Sequence, residues 1–232
     1  MSGKRMYSCD YHYFDKIDTP DKAYWLGFLM ADGCVMHQRR LRHLKTMDSW
    51  QDRYITKLSV SQADEEHLAK FLQCISSTHP IRVYKTSLSA TPYCRVMIED
   101  QHLFGALVSH GVIPNKSLCV CYPSIDEQFD AAFIRGYFDG NGCISHSTFW
   151  ECNITSTYEM LHKIYQKCPF NDAKEFRPVQ RFPDRHVNNW MFRFAGTQQC
   201  IRVLSWLYCD STPETRLNRK FHKYLDLIAY QG

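Results

Sequence analysis

The segment Tyr24–Trp25–Leu26–Gly27–Phe28–Leu29–Met30–Ala31–Asp32–Gly33–Cys34 recurs as Phe133–Ile134–Arg135–Gly136–Tyr137–Phe138–Asp139–Gly140–Asn141–Gly142–Cys143, every position matched to one 109 residues later. A pattern repeated in register points to a duplicated structural unit. Both copies are apolar nearly all round, which predicts two interior helices rather than helices lying on a surface. The small residues fall four apart, Gly27 with Ala31 and Gly136 with Gly140, and therefore share one helix face. Small side chains on one stripe let two backbones approach, so the copies are expected to pack on each other about a pseudo-two-fold axis. Gly33 and Gly142 suit a left-handed residue at each helix end. Asp32 stands at the negative end of its helix dipole; a carboxylate placed there, where two helix ends converge, suggests a bound cation.

Trp25 to Gly33 resembles the motif of the LAGLIDADG homing endonucleases, and Ile134 to Gly142 resembles the second copy in their single-chain, two-motif members. The resemblance implies an α+β fold of two pseudo-symmetric αββαββα repeats, whose two antiparallel sheets form a DNA-binding saddle with the motif helices packed at the repeat interface. It implies site-specific hydrolysis of double-stranded DNA with Mg²⁺, two or three divalent ions at the repeat interface, a long pseudo-palindromic target and a monomeric protein active in intron homing. The family's eighth motif position supplies a metal-binding acid from each helix, which here gives Asp32 and Asn141, with no backbone ligand assigned. The family also implies a pocket lysine late in each repeat. Lys116, 84 residues after Asp32, and Lys220, 79 after Asn141, form the matched pair, with Arg219 the second choice for the latter. Gln62 resembles a polar residue that positions the attacking water, and Ser156 holds the corresponding place in the second half. Asn141 departs from the pattern. A carboxamide lends a metal one neutral oxygen and no charge, so impaired cutting or nicking is expected. Asp139 is no substitute, because two residues along a helix is about 200° of rotation.

Length and composition agree with this outline. A chain of 232 residues, 44% hydrophobic, can form one large domain or two small ones, and the repeat favours two similar halves. The expected divisions are 1–19, an N-terminal extension with a Tyr11–His12–Tyr13–Phe14 cluster; 20–125, the first repeat and linker; and 126–232, the second repeat with a C-terminal helix. A net charge of +4 is too small to demand a nucleic-acid partner, so local clustering must carry that case. Eleven cysteines, odd in number and scattered, suit free thiols in a reducing, intracellular compartment. No run approaches the roughly 18 apolar residues of a membrane span, and no membrane partner is expected.

Along the chain, Thr19–Pro20–Asp21 supplies helix-start chemistry. Cys34 to Lys45 reads as a basic strand and Tyr54 to Ser61 as a half-buried one, with a polar loop between them. A helix from about 64 to 76, strands at 81–85 and 93–98, and a helix at 100–109 complete the first repeat. In the second, two short strands within 144–155, a helix at 156–167, strands at 176–182 and 189–194, and a helix at 196–207 follow in the same order. The final helix carries Leu217, Phe221, Leu225 and Ile228 inward, with Arg216, Arg219, Lys220 and Lys223 outward. A two-stranded ribbon fits the major groove of DNA. The candidate DNA-binding residues on the strands are Arg39, Arg40, Arg42, Lys57, Arg82, Lys85, Arg95, Arg177, Arg181 and Arg193.

Two other readings compete. A non-catalytic DNA- or RNA-binding protein on the same scaffold, an RNA-splicing maturase or a regulator, is favoured by Asn141. An intein is not expected, since Met1 and Ala229–Tyr230–Gln231–Gly232 lack flanking splice residues. Cys34-x-x-His37 and Cys143-x-x-His146 offer zinc-type ligands, but on a strand positions i and i+3 point to opposite faces, which argues against a shared ion.

Overall fold

The computed structural model describes residues 6–43, 48–86, 89–169, 175–185 and 187–230. Two four-stranded antiparallel sheets and seven α-helices are present among them, an α+β architecture in which one strand order occurs twice. The first half runs α1 (Pro20–Asp32), β1 (Gly33–His43), β2 (Asp48–Ser61), α2 (Glu65–Cys74), β3 (Arg82–Thr86), β4 (Ser89–Glu99) and α3 (Gln101–Ser109). Its sheet has the order β1-β2-β4-β3. The second runs α4 (Asp130–Asn141), β5 (Gly142–His146), β6 (Trp150–Ser156), α5 (Tyr158–Lys167), β7 (Val179–Gln180), β8 (Trp190–Ala195), α6 (Thr197–Tyr208) and α7 (Asn218–Ala229), with sheet order β5-β6-β8-β7.

By its internal contacts the chain divides into two compact units. One unit holds Met1–Lys16 with Gly33–Pro114, and the other holds Ile17–Asp32 with Asn115–Gly232. α1 belongs with the second unit because its small-residue face lies on α4. In the first unit, Leu58 and Val60 of β2 alternate with half-exposed Lys57 and Ser59, and the buried side meets Leu68, Phe71, Leu103 and Leu107 from α2 and α3. The N-terminal segment is part of this unit. Asp10 donates its amide to Ile75 O (2.8 Å), Thr78 donates to Ser8 O (3.0 Å), and Phe14 is fully buried.

Several local expectations are corrected. The polar stretch before Arg53 is strand, not loop, since β2 begins at Asp48 and pairs with β1 out to His43; Lys45 lies outside the described residues. Ser156 ends β6 rather than starting a helix, because Thr157 is the cap, its hydroxyl accepting from Met160 N at 3.2 Å. Of the strand expected over 176–182, only Val179–Gln180 pairs. Neither Gly33 nor Gly142 is left-handed; the positive-φ glycines are Gly111 and Gly196. Gly142 is extended (φ −90°, ψ 166°), and what excludes a side chain there is space, since a Cβ would lie 2.6 Å from Phe138 O. On α7 the buried residues are Lys220 and Leu227, while Leu225 and Ile228 are 45% and 42% exposed, so Lys220 turns inward where amphipathic spacing had placed it outside.

Candidate functional site

α1 and α4 touch backbone to backbone. A Cβ at Gly27 would overlap Phe133 O and stand 2.9 Å from Tyr137 N, and one at Gly136 would overlap Tyr24 O and stand 3.0 Å from Phe28 N. A Cβ at Gly140 would overlap Ala31 Cβ. The side chains around this seam, Tyr24, Trp25, Phe28, Phe133, Tyr137 and Phe138, are buried, and the stripe read from the sequence thereby brings the two C-terminal helix ends together. Asp32 is exposed at the end of α1, its Cγ 3.4 Å from the position a Gly140 Cβ would take.

Asn141 is half-buried, and its Nδ2 donates to Tyr137 Oη at 3.2 Å. Tyr137 in turn shares a 2.6 Å hydrogen bond with Ser156 Oγ. Burial raises the Tyr137 phenol above its usual range, the bonds to Ser156 and Asn141 pull it back, and the Asp32 charge adds to the rise. A cavity of about 150 Å³ beside this chain of hydrogen bonds is lined by Ala31, Lys116, Tyr137, Asn141, Thr155 and Ser156, among others. Lys116, Asn141 and Ser156 therefore line one cavity. Lys116 owes its position to a short 3-10 turn (Lys116–Leu118) entered through Asn115 in the left-handed conformation (φ 57°), and it is buried. Gln62 is exposed, at the start of a 3-10 turn of the first unit.

Lys220 is buried at the other side of the α4 terminus. Its Nζ donates to Phe138 O (2.6 Å) and Asp139 O (2.7 Å) in the last turn of α4, where Phe138 O also accepts from the Gly142 amide. Burial pulls its pKa down to about 8, against the upward pull of the Asp139 and Asp32 charges. The ammonium is thus within the electrostatic reach of Asp32. Arg219 is exposed.

Sequence reasoning read α4 as apolar and missed the burial of Arg135 and Asp139, two of its three buried ionic residues. Asp139 accepts from Tyr24 Oη (2.8 Å), Tyr208 Oη (2.7 Å) and Leu217 N (2.8 Å), tying α1, α6 and the approach to α7 onto α4. Burial raises its pKa, while Lys220 and these donors lower it. Arg135 donates to Thr215 O (2.9 Å), Leu207 O (2.7 Å) and Asp210 Oδ1 (2.7 Å). The signal was present, since Arg135 and Asp139 stand four apart on one face, where the first copy has Leu26 and Met30. Asp139 is taken up by its three donors.

The donor set at those ends fits a hard divalent cation at Asp32, a carboxylate open to solvent beside a helix terminus. It fits one less well at Asn141, which can offer only a neutral carboxamide oxygen, its nitrogen donating to Tyr137 Oη. Among the described residues, the one group of three His, Cys, Asp or Glu side chains close enough to share an ion lies elsewhere, at His12, Asp15 and His102. The Cys–His pairs form no zinc set: His37 Nε2 donates to Asp52 Oδ1 (2.9 Å) and its ring stacks on Tyr54, while the His146 ring lies 4.7 Å from Trp150. All eleven cysteines are free thiols.

Pairing register sorts the basic residues. Arg40 faces Gln51, Arg42 faces Ser49, Lys57 faces Met97, and Arg95 faces both Ser59 and Arg82, which sets Arg40, Arg42, Lys57, Arg82 and Arg95 on the outer face of the first sheet. Arg95 donates to Ser59 Oγ at 2.9 Å and lies over the rings of Tyr84 and Tyr93. Arg39 alternates onto the face of Val35, 5.2 Å from the Trp50 ring, and Lys85 sits at the irregularity between Tyr84 and Thr86. Arg53, absent from the sequence-based set, shares the outer face but is paired with Glu99. In the second sheet Arg193 lies opposite Asn153 and 3.4 Å from Glu151. Arg177, ion-paired with Glu175, and Arg181 flank β7.

No protein-family model and no curated protein sequence matches the chain. Solved structures do match its fold. I-GzeII, a LAGLIDADG homing endonuclease in complex with its DNA target, superposes with a TM-score of 0.61 at 10% identity, covering 91% of this chain and 89% of that one. The LAGLIDADG meganuclease I-AabMI bound to uncleaved DNA gives 0.56 at 11% identity, with 91% and 90% covered. I-SmaMI bound to an uncleaved DNA target in the presence of calcium ions gives 0.55 at 12% identity, with 92% of each chain covered. The fold, two αββαββα pseudo-repeats, is that of the LAGLIDADG homing endonucleases.

Proposed function

We propose that this chain is a site-specific endonuclease of double-stranded DNA, acting as a monomer, that hydrolyses phosphodiester bonds with Mg²⁺ held chiefly by Asp32. The observation that carries this reading is the α1–α4 seam, whose close backbone contact delivers Asp32 and Asn141, with Lys116 and Lys220 beside them, to one pair of helix ends. When bound, Mg²⁺ would supply a polarised water nucleophile and positive charge against the scissile phosphate. The protein's own part is positional. Asp32 provides the anionic oxygen, and Lys220, fixed by two carbonyls, provides a buried cation close to it. Tyr137 and Ser156 hold the Asn141 side chain, and Lys116 adds a second cation beside them. Two or three divalent ions would share the site, the position at Asn141 being the weak one, so that cutting is slow or proceeds by nicking.

The DNA contacts rest on the sheet faces. Phosphate contacts from Arg40, Arg42, Lys57 and Arg82 position the duplex, and Arg95, aligned by Ser59 and two tyrosine rings, is fit to read a base edge. Two similar but unequal repeats suit a long target whose half-sites are related without being identical. Asn141, which brings a neutral amide where a second acid would sit, favours a second reading, a non-catalytic nucleic-acid binder on the same scaffold.

The two are separated by selecting bound and cleaved sites from a randomised duplex pool with and without Mg²⁺, then repeating the assay with Asp32→Asn. The endonuclease reading expects Mg²⁺-dependent cutting that Asp32→Asn abolishes while affinity stays within about threefold, since the carboxylate holds metal rather than DNA. Binding without any cutting by the parent chain would favour the binder, and cutting that survives Asp32→Asn would overturn the assignment of Asp32.

A further inference from the structure

Within the first unit, three metal-ligating side chains converge. His12 Nδ1 donates to Asp15 Oδ2 at 2.8 Å and His102 Nε2 donates to Asp15 Oδ1 at 2.6 Å, so one carboxylate lies between two imidazoles whose ring centres are 4.1 Å apart. All three candidate ligand atoms lie within 4.8 Å of one another. The backbone holding them is well tied. Asp15 N donates to His12 O (3.0 Å), closing a turn that puts residues 12 and 15 on the same side, and His12 N donates to Asp10 Oδ1 (3.0 Å). Phe14, between the two ligands, is fully buried, and its carbonyl accepts from His110 Nε2 at 2.9 Å. His102 stands in the first turn of α3, whose cap is Asp100 accepting from Leu103 N at 2.9 Å.

We propose that His12, Asp15 and His102 form a zinc site that clips the N-terminal segment to α3. Two neutral imidazoles and one carboxylate match the ligand types of Zn²⁺, whose bonds to nitrogen and oxygen are about 2.0–2.2 Å. Small shifts of exposed side chains would bring the three atoms from hydrogen-bonding to coordinating distance of one ion. A fourth position is left to water on the open side, where a cavity of about 700 Å³, also lined by Asp100, Gln101 and Ser109, adjoins the cluster. The site joins ligands 87 residues apart, from Asp15 to His102, so its occupation is coupled to folding. It shares no residue with the oxygen-rich centre proposed for DNA cleavage and does not depend on it.

The test is calorimetric titration of chelator-treated full-length protein with Zn²⁺ in excess Mg²⁺, with Co²⁺ substitution followed by visible absorption. One Zn²⁺ per chain is expected, raising Tm, with tetrahedral Co²⁺ bands and no thiolate-to-cobalt charge transfer. His102→Gln keeps a hydrogen-bond donor for Asp15 but removes the imidazole, and it should weaken Zn²⁺ at least about tenfold and abolish the Tm shift while the metal-free Tm is unchanged. Absence of stoichiometric binding, equal affinity in His102→Gln, or a thiolate signature from the exposed cysteines would each overturn the proposal.

Discussion

A lysine ammonium 97% removed from solvent, fixed on the Phe138 and Asp139 carbonyls, makes Lys220 the most pH-sensitive group beside the helix ends. Its pKa of about 8 lies below the roughly 10.4 of an unfolded lysine. Below pH 8 both states hold the proton; between about 8 and 10.4 only the unfolded chain does, so this group makes stability rise with pH across that window. At about 1.4 kcal/mol per pKa unit, urea unfolding at pH 7 and pH 10 should show the parent gaining up to about 3 kcal/mol relative to Lys220→Met. Parallel pH profiles for the two proteins would contradict the burial of a charged amine. At this scale the sequence was partly legible. The family spacing picked out Lys220 as a site residue, whereas amphipathic counting put it on the solvent face, because an aliphatic stem with one satisfied ammonium can occupy a buried stripe that such counting reserves for leucine. Asp139 and Arg135 were legible only as an ionic pair four apart on one face; the groups that bury them, Tyr208, Asp210, Thr215 and Leu217, lie some 70 to 80 residues away in sequence.

The seam between α1 and α4 is the element on which the candidate site depends. Gly136→Ala would drive a methyl group into the Tyr24 carbonyl and force the helices apart, and overpacking of this kind costs about 1–3 kcal/mol. Gly105→Ala on α3 is the matched control, since a Cβ there meets nothing within 4 Å and alanine favours the helix by up to about 1 kcal/mol. Chemical denaturation should therefore show Gly136→Ala falling well below the parent and Gly105→Ala at or above it; equal stabilities would mean that the helices are not in backbone contact. The small-residue stripe carried this packing because four-residue spacing is a local signal. The role of Gly142 was misread because a glycine after a helix is equally compatible with a left-handed cap and with a crowded extended residue, and only the position of the Phe138 ring decides between them. β7 shrank to two residues because Arg177 and Phe182 lie outside its pairing with β8, a matter of register that alternation of residue types does not encode.

For the whole molecule, a net charge of +4 conceals a strong inequality between the sheets. The first presents Arg40, Arg42, Lys57, Arg82 and Arg95 on one face, while the second sets Arg193 beside Glu151, so in the proposed DNA complex the first repeat would supply most of the phosphate-binding charge. The same inequality appears at the helix ends, where Asp32 carries a charge and Asn141 does not. If both ends serve one reaction, restoring the acid should restore the weaker metal position. Asn and Asp are nearly the same size, and Tyr137 can reverse its hydrogen bond to donate to a carboxylate, so fold and DNA affinity should be unchanged. The measurement is single-turnover cleavage of a supercoiled plasmid carrying the selected site, in Mg²⁺, following nicked and linear products separately for the parent and Asn141→Asp. The parent should accumulate nicked plasmid or cut slowly, and Asn141→Asp should form linear product at least about a hundredfold faster at unchanged affinity, close to 3 kcal/mol of transition-state stabilisation. Equal rates of linear product from the two proteins would contradict the account.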